Sequence, residues 1–78
     1  MRFDQWLKAK ADGGVAFTPE QIAWLTLIRD HIATTLSIEP EDLELSPFNQ
    51  RGGLGKAHQI FGDQLPALLD ELNEALAA

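Results

Sequence analysis

The chain has 78 residues, so it forms one domain at most, and a chain of this length buries only about 60 to 65% of its unfolded surface. Twelve acidic residues against six basic ones give a formal net charge of −6, which repels a phosphate backbone and argues against a dedicated nucleic-acid surface. The apolar content of 45% is well above that of a disordered chain. The absence of cysteine excludes disulfides and thiolate metal sites and makes a reducing cytoplasm the default expectation.

The sequence shows no sign of export or membrane insertion. Its first residues lack the apolar core of a signal peptide, and no run approaches the roughly 18 apolar residues of a membrane span. We therefore expect a cytoplasmic protein that has no contact with a membrane.

Two amphipathic helices are predicted in the first half of the chain. Phe3, Trp6 and Leu7 have helical spacing and indicate a short helix that ends before the glycine pair at positions 13 and 14. The second helix begins with a capping box from Thr18 to Gln21 and is predicted to run to about residue 36. It carries two adjacent apolar stripes, Ile22, Leu25, Ile28 or Arg29, Ile32 and Leu36 in one and Trp24, Leu27, Ile28 and His31 in the other.

The second half of the chain is predicted to hold two or three further helices. Pro40 suits the first position of a one- or two-turn helix, which Pro47 ends because the residue before a proline avoids helical angles. Leu54, Ala57, His58 and Phe61 share one face of the next helix. The last helix carries a clean core stripe of Leu65, Leu68, Leu69, Leu72 and Leu76. The predicted fold is an all-α single domain over residues 1–78, a small bundle of four to five short helices.

The stretch from residue 46 to residue 62 is more specialised than an ordinary helix requires. Pro47 fixes one backbone angle, Phe48 follows it at once, and Gly52 and Gly53 allow positive φ or close backbone approach. The stretch ends in Phe61 and Gly62, and a glycine there suits a helix terminus. These choices predict a specified loop, a short helix and an abrupt end.

In order and spacing over about residues 38 to 78, the chain resembles the C-terminal helical domain of the restriction (R) subunit of type I restriction-modification enzymes. The residues that carry the resemblance are Pro47, Phe48, Gly52, Gly53, Leu54, Phe61, Gly62, Leu72, Asn73, Glu74, Ala75 and Leu76. The chain would then be a fragment, the tail of a larger R subunit with a nuclease domain and an ATP-driven DNA translocase motor. ATP and Mg²⁺ would be cofactors of that parent subunit, an ATP-dependent site-specific deoxyribonuclease, and not of this domain.

The resemblance also implies partners and a role. By analogy the domain is not itself an enzyme and attaches the motor domains of the R subunit to the methyltransferase (M) and specificity (S) subunits, contacting DNA indirectly or weakly. Bulky apolar side chains would carry the docking, and we expect them around Trp24, Phe48 and Leu54.

Asn73 is expected to hold the loop from residue 47 to residue 53 through its amide group.

The sequence offers little for catalysis or cofactor binding. A phosphate-binding loop would need a glycine five positions before Gly55 and Ser or Thr after Lys56, where this chain has Gln50 and Ala57. A milder hypothesis is that Arg51 and Lys56, beside free N–H groups at a helix start, touch one phosphate or another anion. The two histidines, at positions 31 and 58, lack a partner at metal-ligand spacing, and the second is expected to be partly buried. We predict no catalytic, cofactor or metal site.

Two other functions stay open at this stage. A small helical DNA-binding module, such as a helix-turn-helix, would need a basic recognition helix, whereas the two longest predicted helices carry several acidic residues. A free-standing bundle that regulates another protein would differ from the R-subunit domain only in its partner. Neighbouring genes for methyltransferase and specificity subunits would distinguish these possibilities.

Overall fold

Four α-helices and three short 3₁₀ helices make up the fold in the computed structural model, which describes residues 1–76. The α-helices are α1 Phe3–Asp12, α2 Pro19–Thr35, α3 Gly53–Phe61 and α4 Leu65–Leu76, and the 3₁₀ helices are Pro40–Glu44, Asn49–Arg51 and Gly62–Gln64. The all-α class is confirmed. The count of four to five short helices is not exact, because the chain between α2 and α4 contains more short 3₁₀ segments than periodicity indicated. Every helix within residues 1–76 is too short or too polar to cross a lipid bilayer.

Helix α2 is the central element, and it begins as its sequence predicts. The backbone N–H of Gln21 donates to Oγ1 of Thr18 at 3.1 Å, and the backbone N–H of Thr18 donates to Oε1 of Gln21 at 2.9 Å. The helix packs against both α3 and α4. A helix with more than one neighbour is expected to carry a wide apolar surface, as the two predicted stripes of α2 do.

The core is a single apolar cluster drawn from every part of the fold. Its members are Trp6, Trp24, Leu25, Ile28, Ile32, Ile38, Leu43, Phe48, Ala57, Phe61, Leu65, Leu68, Leu69 and Leu72. The predicted stripe on α4 is confirmed, with Leu76 only partly buried. The first predicted stripe on α2 is wrong at both ends, because Ile22 is 38% and Leu36 is 72% exposed. Helical spacing does not show which residues near the ends of α2 are covered by other elements, and these two stay in contact with solvent.

Helix α1 is attached to α4 through one carboxylate. Nε1 of Trp6 donates to Oε1 of Glu71 at 3.0 Å, and Nζ of Lys10 donates to Oε2 of the same residue at 3.1 Å. The Trp6 ring stacks between Phe3 and Phe17, with centroid distances of 6.2 and 5.7 Å. The apolar surface of the indole is therefore packed against other rings, and its single donor, Nε1–H, keeps a hydrogen-bond partner.

Residues 36–45, which we call the connecting segment, link α2 to the loop before α3. Asn73 on α4 makes two hydrogen bonds to the backbone of Ile38: its Oδ1 accepts from the N–H at 2.8 Å, and its Nδ2 donates to the carbonyl at 2.7 Å. The predicted role of Asn73 is therefore right in kind but wrong in target, since its amide holds this segment and not the loop from residue 47 to residue 53. Ile38 is buried and lies outside the helices, so its backbone needs a side-chain partner.

Replacement of Asn73 by alanine is expected to lower the free energy of unfolding by about 2 to 3 kcal/mol. Two hydrogen bonds are lost, and the buried N–H and carbonyl of Ile38 are left without their partners. Urea unfolding followed by circular dichroism measures the change. Glu74→Ala, at the next and exposed position of the same helix, is the control and should change stability by less than about 0.5 kcal/mol. Equal stability of Asn73→Ala and the parent would contradict this account.

Candidate docking surface

Trp24 and Phe48, two of the three residues predicted to dock a partner, lie in the core. Their side chains are 1% and 0% exposed, and their rings stack with centroids 5.9 Å apart. The ring of His31 packs edge-on against Phe48 at 5.8 Å. The expectation that Trp24 and Phe48 reach the surface is wrong, because the loop that follows Pro47 turns Phe48 inward onto α2. Burial there removes two large apolar surfaces from water at once.

The loop before α3 is held by its own backbone. The carbonyl of Phe48 accepts from the N–H of Arg51 at 2.9 Å and from the N–H of Gly53 at 3.0 Å. Gly52 and Gly53 have φ values of 108° and 67°, as the glycine pair predicts. Nδ2 of Asn49 donates to the carbonyl of Glu44 at 3.0 Å, which joins the loop to the connecting segment. The loop is therefore a fixed support for Phe48.

Three other residues that carry the resemblance have a role in packing or in ending a helix. Phe61 and Leu72 belong to the core, and Gly62 takes a positive φ of 63° where α3 ends. Leu54, the third predicted docking residue, is half-buried and packs against the edge of the core. Only part of its side chain is therefore accessible to a partner.

The start of α3 already holds an anionic group from the chain itself. Oε1 of Glu44 accepts from the backbone N–H of Leu54 at 3.0 Å. Nζ of Lys56 lies 3.6 Å from Oε1 of Glu20, and Arg51 is exposed at the end of a 3₁₀ helix. A phosphate at this position would face the Glu44 carboxylate, which disfavours the anion contact proposed for Arg51 and Lys56.

The residues before α3 and at its start do not have the arrangement of a nucleotide-binding loop either. The element before α3 is the 3₁₀ helix Asn49–Arg51, whereas a phosphate-binding loop follows a strand. The Glu44 carboxylate also takes up a backbone donor that such a loop would offer to phosphate.

The histidines and the acidic residues are dispersed. His58 is exposed, so its predicted partial burial is wrong, whereas His31 is half-buried with Nε2 3.5 Å from Oδ2 of Asp42. Residues 1–76 contain no group of three or more His, Cys, Asp or Glu side chains that could hold a metal ion.

A cleft of about 330 Å³ lies beside Phe17, Gln21 and Gln64, and none of its lining residues is titratable.

Two exposed leucines, neither of which was predicted to dock a partner, lie at the two ends of the connecting segment. Leu36 is 72% exposed and Leu45 is 53% exposed. Leu36 also ends α2 with a φ of 75°, a left-handed conformation that costs an L-residue other than glycine about 1 to 2 kcal/mol. The absence of glycine or asparagine where α2 must stop is the sequence signal that could have identified this position.

A comparison with known protein families gives a match over nearly the whole chain. A sequence model of the family described as "EcoEI R protein C-terminal" matches residues 1–77. No curated protein and no solved structure shows significant similarity to the chain.

Alanine substitutions at two glycines of α3 are expected to act in opposite directions. Gly53→Ala forces a left-handed φ on alanine and places its Cβ 2.9 Å from Oε2 of Glu44, so stability should fall by about 1 to 2 kcal/mol or more. Gly55→Ala, the matched control, meets open space in an ordinary helical conformation and should be neutral or raise stability by up to about 1 kcal/mol. Urea unfolding compares the two, and a neutral Gly53→Ala would contradict the described loop geometry.

Proposed function

The chain belongs to the EcoEI R protein C-terminal family, the C-terminal domain of the R subunit of type I restriction enzymes, and we propose that it joins that subunit to its methyltransferase and specificity core. The match over residues 1–77 is the observation that carries this proposal, because it covers the whole set of packed helices. The domain itself is non-catalytic in this proposal and acts by binding protein.

The placement of the polar side chains supports a binding role. Glu71 receives Trp6 and Lys10, Glu44 receives the first turn of α3, and Asp42 lies beside His31. These carboxylates are engaged in holding helices together, and the cleft near Phe17 offers no acid or base to a substrate. Acid–base chemistry needs such groups to converge on a pocket, which this arrangement does not favour.

The net charge of −6 supports a protein partner over DNA. A domain that neutralises phosphates presents clustered Lys and Arg, whereas here Lys10, Arg29 and Lys56 are each paired with a carboxylate of the domain. DNA contact by this domain is therefore indirect or weak in the proposed assembly. The nuclease and the ATP- and Mg²⁺-dependent translocase belong to the rest of the subunit, and the assembly works in the cytoplasm, where its DNA is.

Because Trp24 and Phe48 are buried, they are no longer proposed to touch a partner directly. Trp24 and Phe48 contribute by fixing the relation between α2 and the loop, and Leu54 remains a candidate for partial contact at the core edge. Substitution of Trp24 or Phe48 would affect folding and binding together. Variants of exposed residues are needed to test docking separately from stability.

Removal of this domain from the R subunit is expected to weaken its association with the methyltransferase–specificity core by at least about 100-fold, equivalent to about 2.7 kcal/mol. The truncated subunit should still hydrolyse ATP in the presence of Mg²⁺ and DNA, because that chemistry lies elsewhere. Co-purification and sedimentation analysis measure the association, and ATP hydrolysis is the folding control. Assembly that is unchanged in an active truncated subunit would contradict the docking role.

A second test addresses the DNA-binding alternative. The double variant Arg51→Ala and Lys56→Ala in the R subunit is expected to leave its DNA affinity and the salt dependence of that affinity unchanged, because Glu44 already occupies the start of α3. Fluorescence anisotropy with labelled duplex DNA at several salt concentrations measures both quantities. A drop in affinity with a shallower salt dependence would favour direct DNA binding by this domain.

A further inference from the structure

The connecting segment has an inner and an outer side. Ile38 and Leu43 point into the core and are 1% and 0% exposed, whereas Leu36 and Leu45 at its two ends are exposed. An isolated exposed leucine is common on protein surfaces. Leu36 is different, because it also holds a left-handed backbone conformation that glycine or asparagine would adopt more easily. The side chain at this position therefore gives the isolated domain neither burial nor a favourable backbone.

The connecting segment, which contains the 3₁₀ helix Pro40–Glu44, is attached to the rest of the domain by side-chain contacts. Asn73 fixes Ile38 from α4, Asp42 lies 3.5 Å from His31 on α2, and Glu44 binds the first turn of α3. These three attachments join the segment to three different helices. A surface held in this way requires little ordering when it binds a partner.

All charged residues of the connecting segment are acidic. It contains four acidic residues and no basic one. Glu39 and Glu41 are exposed on its outer side, and neither carboxylate forms an ion pair with any residue in the described range 1–76. We give the name 36–45 face to the four exposed residues Leu36, Glu39, Glu41 and Leu45, which are two leucines at the ends of the segment and, between them in the chain, two carboxylates that form no ion pair within residues 1–76.

We propose that the 36–45 face docks a basic, apolar protein surface of the methyltransferase–specificity core, one on which apolar side chains alternate with Lys or Arg. The proposal rests on the docking function proposed above and specifies its location and chemistry. Charge complementarity selects this occupant, since free carboxylates beside exposed leucines favour a cationic surface with apolar contacts. A nucleic acid would be repelled by Glu39 and Glu41, and a second copy of the face would bring like charges together.

The test uses the intact R subunit and the methyltransferase–specificity core, with Kd measured by calorimetry at about 50 mM and about 200 mM salt. Leu36→Asn combined with Leu45→Ser removes the apolar contacts, and asparagine tolerates the left-handed conformation, so folding is preserved. The expected result is a Kd at least about tenfold higher than that of the parent, with an unfolding midpoint no lower. Glu39→Lys with Glu41→Lys should also raise Kd, most strongly at low salt.

The matched control is Ile22→Ser, which changes another exposed apolar residue of α2 at its opposite end, roughly 20 Å away. It should bind the core as the parent does. If the parent binds the core and the 36–45 variants bind equally well, or if Ile22→Ser weakens binding as much as they do, the assignment to this face is overturned while the docking function stands. If the parent itself fails to bind the core, both proposals are overturned.

Discussion

The packing of Phe48 on Trp24 is the contact on which the arrangement of the other elements depends. Phe48 comes from a loop and Trp24 from the central helix, and both are almost completely removed from water. Once the aromatic pair is formed, the loop must run across α2, and its glycine pair must turn the chain into α3. A small domain has little apolar material, so one such contact between distant parts of the chain has a large share in the stability of the fold.

Polar side chains then fix the positions of those elements that apolar packing alone does not determine. Asn73 positions the connecting segment, Glu71 positions α1, and Glu44 positions the start of α3. Each of these groups satisfies backbone or indole donors that packing alone would leave unpaired. The side chains of Leu36 and Leu45 at the two ends of the connecting segment stay exposed, and those of Glu39 and Glu41 form no ion pair within residues 1–76. This division between an inner and an outer side is the basis of the docking proposal.

Local chemistry made much of the fold predictable from the sequence. The capping box at Thr18, the positive φ of the glycine pair and the leucine stripe on α4 all depend on neighbouring residues, and all are found in the structure. The partner of Asn73 and the burial of Phe48 depend on contacts between segments far apart in the chain. Periodicity carries no information about which loop lies under which helix, so the role of Asn73 was predicted in kind but with the wrong target, and the burial of Phe48 was not predicted.

The candidate site was less predictable for the same reason. Bulky aromatic residues suit both cores and interfaces, and the sequence alone does not say which use prevails. Trp24 and Phe48 were therefore expected at the surface and lie in the core. Leu36 had been counted as part of a buried stripe because it continues the period of α2, but the helix ends there and turns the side chain to solvent. Exposure at a helix end is a tertiary property that helical spacing does not encode.

Calorimetric titration of the 78-residue chain, first shown to be folded by circular dichroism, against the methyltransferase–specificity core and separately against duplex DNA tests the central claim most directly. The account predicts saturable binding to the core that weakens as salt is raised, and no comparable binding to DNA, because the chain is acidic and the proposed docking face carries carboxylates that would attract a cationic surface. Salt-sensitive binding to DNA without binding to the core would contradict it.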